Sequence, residues 1–264
     1  MAYHLHLGSV PLILSIPHSG TEVPDNLRAR LTERAARLPD TDWHVDRLYG
    51  FAKDLGASVI CARASRIVID LNRDPDGIPL YPGQSNTELC PTTLFDGTPI
   101  YRDGCVPSQE EIEERKTTTY WPYHQALRSE LDRLRQEHGV AILYDAHSIR
   151  SVVPRFFGGS LPDLNIGTGG GQTADPALVR RVVEACAADP TRSSVLDGRF
   201  KGGYITRHYG RPQTGIHAIQ MELTQKNYMS EDDTFAYQPD RASSLEPTLI
   251  RIFQSLLAYV KHVG

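Results

Sequence analysis

The sequence predicts an α/β fold, a three-layer α/β/α arrangement around a central mixed, mostly parallel sheet. Two observations carry that expectation. Apolar runs of strand length alternate with helix-like segments along the chain, the order expected of a sheet covered by helices on both faces. No internal repeat or low-complexity linker interrupts the alternation, and 264 residues with 40% hydrophobic content suffice for a sizeable core. Residues 1–264 are therefore expected to form a single domain.

The elements follow in order. Leu12-Ile13-Leu14-Ser15-Ile16 lies in a strand over 11–16 that runs into Pro17. Pro24 can open a helix reaching about Leu38. Asp42 can cap a second, from Trp43 to Leu55, stopped by Gly56. Runs 57–62 and 66–71 read as strands. Ser108 with Glu111 forms a capping box for a long helical region ending before Gly139, and Pro122 inside it should kink or split it. Strands are expected at 140–145 and 217–223, with weaker candidates near 163–166 and 203–207. Asp175-Pro176 starts a helix through about Ala188. Helical spacing at Leu245, Leu249, Ile252, Phe253, Leu256 and Leu257 closes the fold. Segments 74–105 and 145–173, rich in Gly, Pro, Thr and Asp, read as long loops of the kind that carry function. Within the second, Gly167-Thr168-Gly169-Gly170-Gly171-Gln172-Thr173 lacks the lysine of a phosphate-binding loop and does not pass directly from strand to helix, so it reads as an active-site loop.

Composition removes several function classes. Lys+Arg is 28 against Asp+Glu 32, a net charge of −4, which argues against nucleic acid or an anionic membrane as main partner. Cys61, Cys90, Cys105 and Cys186 are scattered without a Cys-x-x-Cys pair, so neither disulfides nor a thiolate metal site is expected. Met1–Gly8 lacks the pattern of a secretory leader, and no window of about 18 continuous apolar residues is present. A cytoplasmic, soluble protein is expected. Oligomeric state is not legible.

Chemistry concentrates at strand ends. His18 follows the first apolar run and His147 the run at 140–145. Ligands in open α/β sheets gather beyond the carboxyl ends of strands. Two imidazoles delivered there, far apart in sequence, point to a metal held between loops, with zinc preferred and an open position for water. A third protein ligand is sought in Asp40-Thr41-Asp42-Trp43-His44-Val45-Asp46. Asp42 and Asp46 would share a helix face. Asp42 has an alternative role as helix cap, so Asp46 is the expected ligand, Asp42 the second choice, and His44 the least favoured. Glu222 ends the run at 217–223 and is placed to exchange protons with water and a leaving amine. Asn72 and Arg73 close the 66–71 run with an amide and a guanidinium, a pairing suited to carboxylates, and Arg66 begins it.

Taken in order, Ser15-Ile16-Pro17-His18-Ser19-Gly20, the 40–46 cluster, Ser65-Arg66-Ile67-Val68-Ile69-Asp70-Leu71-Asn72-Arg73, Tyr144-Asp145-Ala146-His147-Ser148, the segment from Gly198 to Gly210, and Gln220-Met221-Glu222-Leu223 resemble the N-formylglutamate amidohydrolase (deformylase) family. Asp70-Leu71-Asn72-Arg73 is also similar to a run used by aspartoacylases and zinc carboxypeptidases. The resemblance implies a phosphorylase/hydrolase-like fold, one zinc ion, and hydrolysis of N-formyl-L-glutamate to formate and L-glutamate in histidine breakdown. It implies that Asn72 and Arg73 hold a substrate carboxylate, Arg66 polarises the scissile carbonyl and Glu222 is the general base. The substrate carries two carboxylates, so a second cationic anchor is expected, and Arg207 is the candidate. The related enzymes take a ligand Glu three residues after the first His; here that position is Thr21, with Glu22 beside it, and the 40–46 aspartates fit the family segment better. The alternatives are a hydrolase of another N-acyl amino acid, or a non-catalytic module binding an acidic ligand.

Overall fold

The structure is a computed structural model that describes residues 2–79 and 86–263. All its strands lie in one sheet: β1 Tyr3–His6, β2 Leu12–Ile16, β3 Ser58–Ala62, β4 Ala141–Ile149, β5 Leu164–Gly167, β6 Ser194–Leu196 and β7 Ile216–Thr224. Their order across it is β1-β3-β2-β4-β7-β5-β6. β3, β2, β4 and β7 run parallel to one another, β1 pairs antiparallel with β3, and β5 pairs antiparallel with β7 and parallel with β6. The sheet is mixed and mostly parallel, as the alternation of runs predicts.

Side chains alternate between the two faces with the strand period. Leu12, Leu14, Ile16, Ile142, Tyr144 and Ala146 enter one apolar cluster, while Ile13, Ala141 and Leu143 enter the other. The first face is covered by α3 (Val45–Leu48), α6 (Pro176–Ala187) and α8 (Pro239–Val263). The second is covered by α1 (Asp25–Arg28), α2 (Glu33–Ala36), α5 (Trp121–His138) and α7 (Tyr204–Tyr209), with α4 (Gln109–Arg115) leading into α5. No helix among the described residues is long and apolar enough to cross a membrane.

Local rules account for much of the detail. Ser108 accepts from Glu111 N at 3.2 Å and opens α4. Ahead of Pro122 the helix loosens into a π turn, Lys116–Tyr120, which absorbs the hydrogen bond that proline cannot donate. Gly139, at φ 75°, closes α5 in the left-handed region. Asp175 caps α6 through Ala177 N at 2.7 Å.

Four expectations need correction. Residues 66–71 form buried turns rather than a strand: Val68 N returns to Ser65 O, and Asp70 N donates to Leu89 O. Their apolar character comes from packing into the core beneath α5, which periodicity alone cannot separate from a buried strand. Residues 203–207 enter a helix, α7, because Asn72 caps its start, its Oδ1 accepting from Ile205 N at 2.7 Å. The helix expected over 24–38 is two short turns, α1 and α2, separated at 29–32. The helix expected from Trp43 to Leu55 begins only at Val45, because His44 is left-handed (φ 64°), and breaks at Tyr49 into a 3-10 turn. β1 and β6, both short and with polar or exposed positions, escaped the apolar-run criterion. Within the loop expected at 74–105, residues 80–85 lie outside the described residues.

Candidate active site

His18 stands two residues past β2, and His147 lies near the end of the adjacent parallel strand β4. Their rings come within 4.8 Å, centre to centre. Asp42, in the turn before α3, enters between them: its Oδ2 is 3.2 Å from His147 Nδ1 and 3.7 Å from His18 Nδ1. One ligand atom from each of His18, Asp42 and His147 can be chosen so that all lie within 4.8 Å of one another, and all three residues are buried. The backbone fixes Asp42 in place, since its N–H donates to His18 O and its Oδ2 accepts from Ser148 N.

The far side of each ring is held by a fully buried carboxylate. His18 Nε2 meets Asp70 Oδ1 at 2.7 Å, and His147 Nε2 meets Asp145 Oδ2 at 3.1 Å. Partners of this kind fix ring orientation and leave Nδ1 for a cation. Burial alone would raise the Asp42 carboxyl, yet the hydrogen-bonded His147 and the nearby His18 hold it below the ordinary carboxylate range. Burial alone would depress His147, yet Asp145 and Asp42 on either side hold its pKa well above the usual histidine value. Two anions around one imidazole therefore ask for positive charge at this point. His18 Nδ1 and Asp42 Oδ1 are both buried without a hydrogen-bond partner. Buried lone-pair atoms without a hydrogen bond beside that anionic demand are what a divalent cation would satisfy, so the residues present fit one.

Asp46 does not join the cluster; it is exposed on α3. The expectation had a helix starting directly after Asp42, at Trp43, which would put residues 42 and 46 on one face. With the helix starting at Val45, Asp42 precedes it and turns inward. His44 points elsewhere, its Nε2 against Phe235 O at 2.8 Å, and Glu22 pairs with Arg63 at the surface.

Arg66 Nη2 donates to Asp70 Oδ2 at 2.7 Å, its Nη1 lies 3.8 Å from Asp42 Oδ1, and the Phe95 ring covers the guanidinium at 4.7 Å. Asp70 thus joins His18 to Arg66, and Asn72 N also donates to it. Burial opposes the Asp70 charge, but Arg73, His18 and Arg66 hold its pKa far below the ordinary value. Arg73 is steered by Thr87, whose hydroxyl accepts from its Nη2 at 2.7 Å. Asn72 borders the cavity, but its amide is committed: Oδ1 to Ile205 N, and Nδ2 against His147 Nε2 (2.9 Å) and Asp145 Oδ2 (3.4 Å).

Glu222 on β7 is the register partner of His147, so neighbouring parallel strands deliver the two side by side. Burial first, then Asp42, pushes its pKa up to about 8, against the lowering effect of His147 and Arg66. Glu222, Arg66, Arg73, His18, Asp42 and His147 border one cavity, closed in part by Phe95, Phe156 and Phe200. Arg207 is not among them. Its Nε donates to Gly202 O, and it lines a separate groove with Gly169–Gly171, Lys201 and Arg211. The second anchor expected at Arg207 is therefore not placed beside Arg73 at this cavity. Sequence reasoning also missed Asp70, Gln220 and the phenylalanines. Asp145, two residues before His147 on one strand, carried a readable signal, because period-2 neighbours share a face.

Comparison with known proteins agrees with this architecture. A family model described as N-formylglutamate amidohydrolase matches residues 10–229. A protein of Pseudomonas putida named N-formylglutamate deformylase is 51% identical over 96% of this chain and 95% of its own length. One of the same name from Pseudomonas aeruginosa is 50% identical over 96% of this chain and 94% of its own. The crystal structure of N-formylglutamate amidohydrolase from Ralstonia eutropha superposes with a TM-score of 0.84, covering 100% of this chain and 99% of that one at 24% identity. At that identity the superposition speaks for the fold.

Proposed function

The chain belongs to the N-formylglutamate amidohydrolase family, and from that premise we propose that it hydrolyses N-formyl-L-glutamate to formate and L-glutamate, as one catalytic domain, with one divalent metal ion. The convergence of His18, Asp42 and His147, with His18 Nδ1 and Asp42 Oδ1 making no hydrogen bond, is the observation that carries the metal requirement. Two imidazoles and one carboxylate suit zinc, and histidine breakdown in the cytoplasm is the setting we assign.

The metal would supply a Lewis acid that makes water nucleophilic near neutral pH and draws charge onto the carbonyl oxygen. The remaining roles fall to the chain. Glu222 accepts the proton of the attacking water and returns one to the leaving amine; its raised pKa suits a group that must do both. Arg66, fixed by Asp70 and backed by Phe95, neutralises negative charge developing on the oxygen. Arg73 anchors a substrate carboxylate. Asn72, with its amide spent within the protein, shapes the anchor rather than binding directly, and Arg207 is not assigned to the substrate.

The test is formate release from N-formyl-L-glutamate by protein of measured metal content, beside N-acetyl-L-glutamate and a peptide. Turnover of the formyl substrate that is abolished by chelation and restored by one equivalent of metal is expected. Preference for the acetyl or peptidyl substrate would replace the substrate assignment, and full activity after chelation would remove the metal.

A further inference from the structure

Gln220 takes no part in the reading above, yet it supplies the hydrogen bond that Glu222 receives. The two lie two residues apart on β7, so they share a face, and both are buried. The Gln220 amide is pinned at both ends. Gly203 N donates to Gln220 Oε1 at 2.7 Å, and Gln220 Nε2 donates to Glu222 Oε2 at 3.2 Å.

The chemistry of an amide makes this arrangement directional. A backbone N–H can only donate, so Oε1 must face Gly203. A flipped amide would set its NH2 against that N–H and leave two donors without an acceptor. The NH2 group therefore faces Glu222, whose Oε2 must accept. A carbonyl-type oxygen accepts a hydrogen bond better than a hydroxyl oxygen, so the amide donor at Oε2 favours the carboxyl proton on Oε1. No hydrogen bond to Oε1 is made among the described residues, and Glu222 borders the cavity shared with His18, Asp42 and His147. Gly203 is itself locked: a Cβ there would stand 2.3 Å from Asn72 Nδ2, so the donor that sets the amide cannot drift toward a bulkier residue without moving the Asn72 turn.

We infer that Gln220 is a positioning residue which divides the two oxygens of Glu222, holding Oε2 as an acceptor and reserving Oε1 for proton transfer. The inference rests on the reading of Glu222 as general base and names what aims it. Gln220 acts through Glu222, so its loss should matter only while the carboxylate is present.

A double-mutant cycle on the metal-loaded enzyme tests this, with kcat and KM for formate release and metal content measured on each protein. Removing a hydrogen bond to a charged group is expected to lower kcat about 10-fold in Gln220→Met, with KM changed less than about 2-fold and metal retained. On the Glu222→Gln background the same substitution should cost less than about 2-fold. Equal losses on both backgrounds would show a merely structural role and overturn the inference. Should Gln220→Met not fold, Gln220→Leu, uncharged and equally unable to donate to Glu222, runs the same cycle with the same expectation. Normal kcat in the single variant beside a disabled Glu222→Gln overturns this inference alone, whereas a fully active Glu222→Gln removes the base and the inference together.

Discussion

His124 offers a quantitative test of how the turn that carries Asn72 and Arg73 is supported. It lies in α5, buried against Tyr120, Tyr204 and Tyr209. Its Nε2 donates to Leu71 O at 2.9 Å, directly before Asn72 and Arg73, and its Nδ1 faces Tyr209 OH at 3.0 Å. Burial, the dominant cause, lowers its pKa from 6.5 to about 3, against a raising hydrogen bond to Leu71. The sign follows from linkage. The unfolded chain takes up a proton on this ring below pH 6.5 and the native ring does not, so stability is full above 6.5 and is lost as pH falls toward 3. At 1.36 kcal/mol per unit, the loss is about 2 kcal/mol at pH 5 and at most about 5 kcal/mol by pH 3. The assay is urea unfolding from pH 8 to pH 5 on the parent and on His124→Gln, whose amide can still donate to Leu71 O but does not titrate. Other groups contribute to both proteins, so the difference in slope isolates His124. A shallower pH dependence in the variant, by about 1 kcal/mol per unit below pH 6, is expected. Parallel slopes would refute the claim that this ring is buried neutral.

Three further outcomes follow from the site. Glu222→Gln should lose about 10²- to 10⁴-fold in kcat with metal content intact, the range of a general acid–base group; near-normal turnover would exclude it as base. Asp42→Asn should lose metal and activity together while Asp46→Asn keeps both, measured by metal analysis beside formate release, and the reverse pattern would restore Asp46 as ligand. Arg73→Met should chiefly raise KM, because a carboxylate is bound alike in ground and transition states, whereas Arg66→Met should chiefly lower kcat; exchanged effects would reassign anchor and polariser.

Much of the framework is written locally in the chain. The continuous apolar runs of β2, β4 and β7 are legible because strands buried on both faces have no polar face to interrupt them. Ser108 with Glu111, Gly139 and Asp175 announce helix ends because caps satisfy backbone groups a few residues away. The placing of His18, His147 and Glu222 at neighbouring strand ends follows from the same runs. That Asp42 rather than Asp46 faces the two imidazoles follows instead from where α3 begins. That start depends on the left-handed His44 and on Trp43 stacking against Phe235, a residue nearly two hundred positions away. The turns at 66–73 imitate a strand because burial beneath α5 demands the same apolar residues. The helix at 204–209 exists where Asn72 can cap it, and its direction sends Arg207 out of the site. Asp70 behind His18 and Gln220 between Gly203 and Glu222 likewise depend on segments far apart in the chain. Periodicity and capping report forces acting within a few residues, so the sequence alone determined the sheet and the site's location. Which carboxylate faces which imidazole is decided by contacts across the chain, and only the tertiary structure sets those.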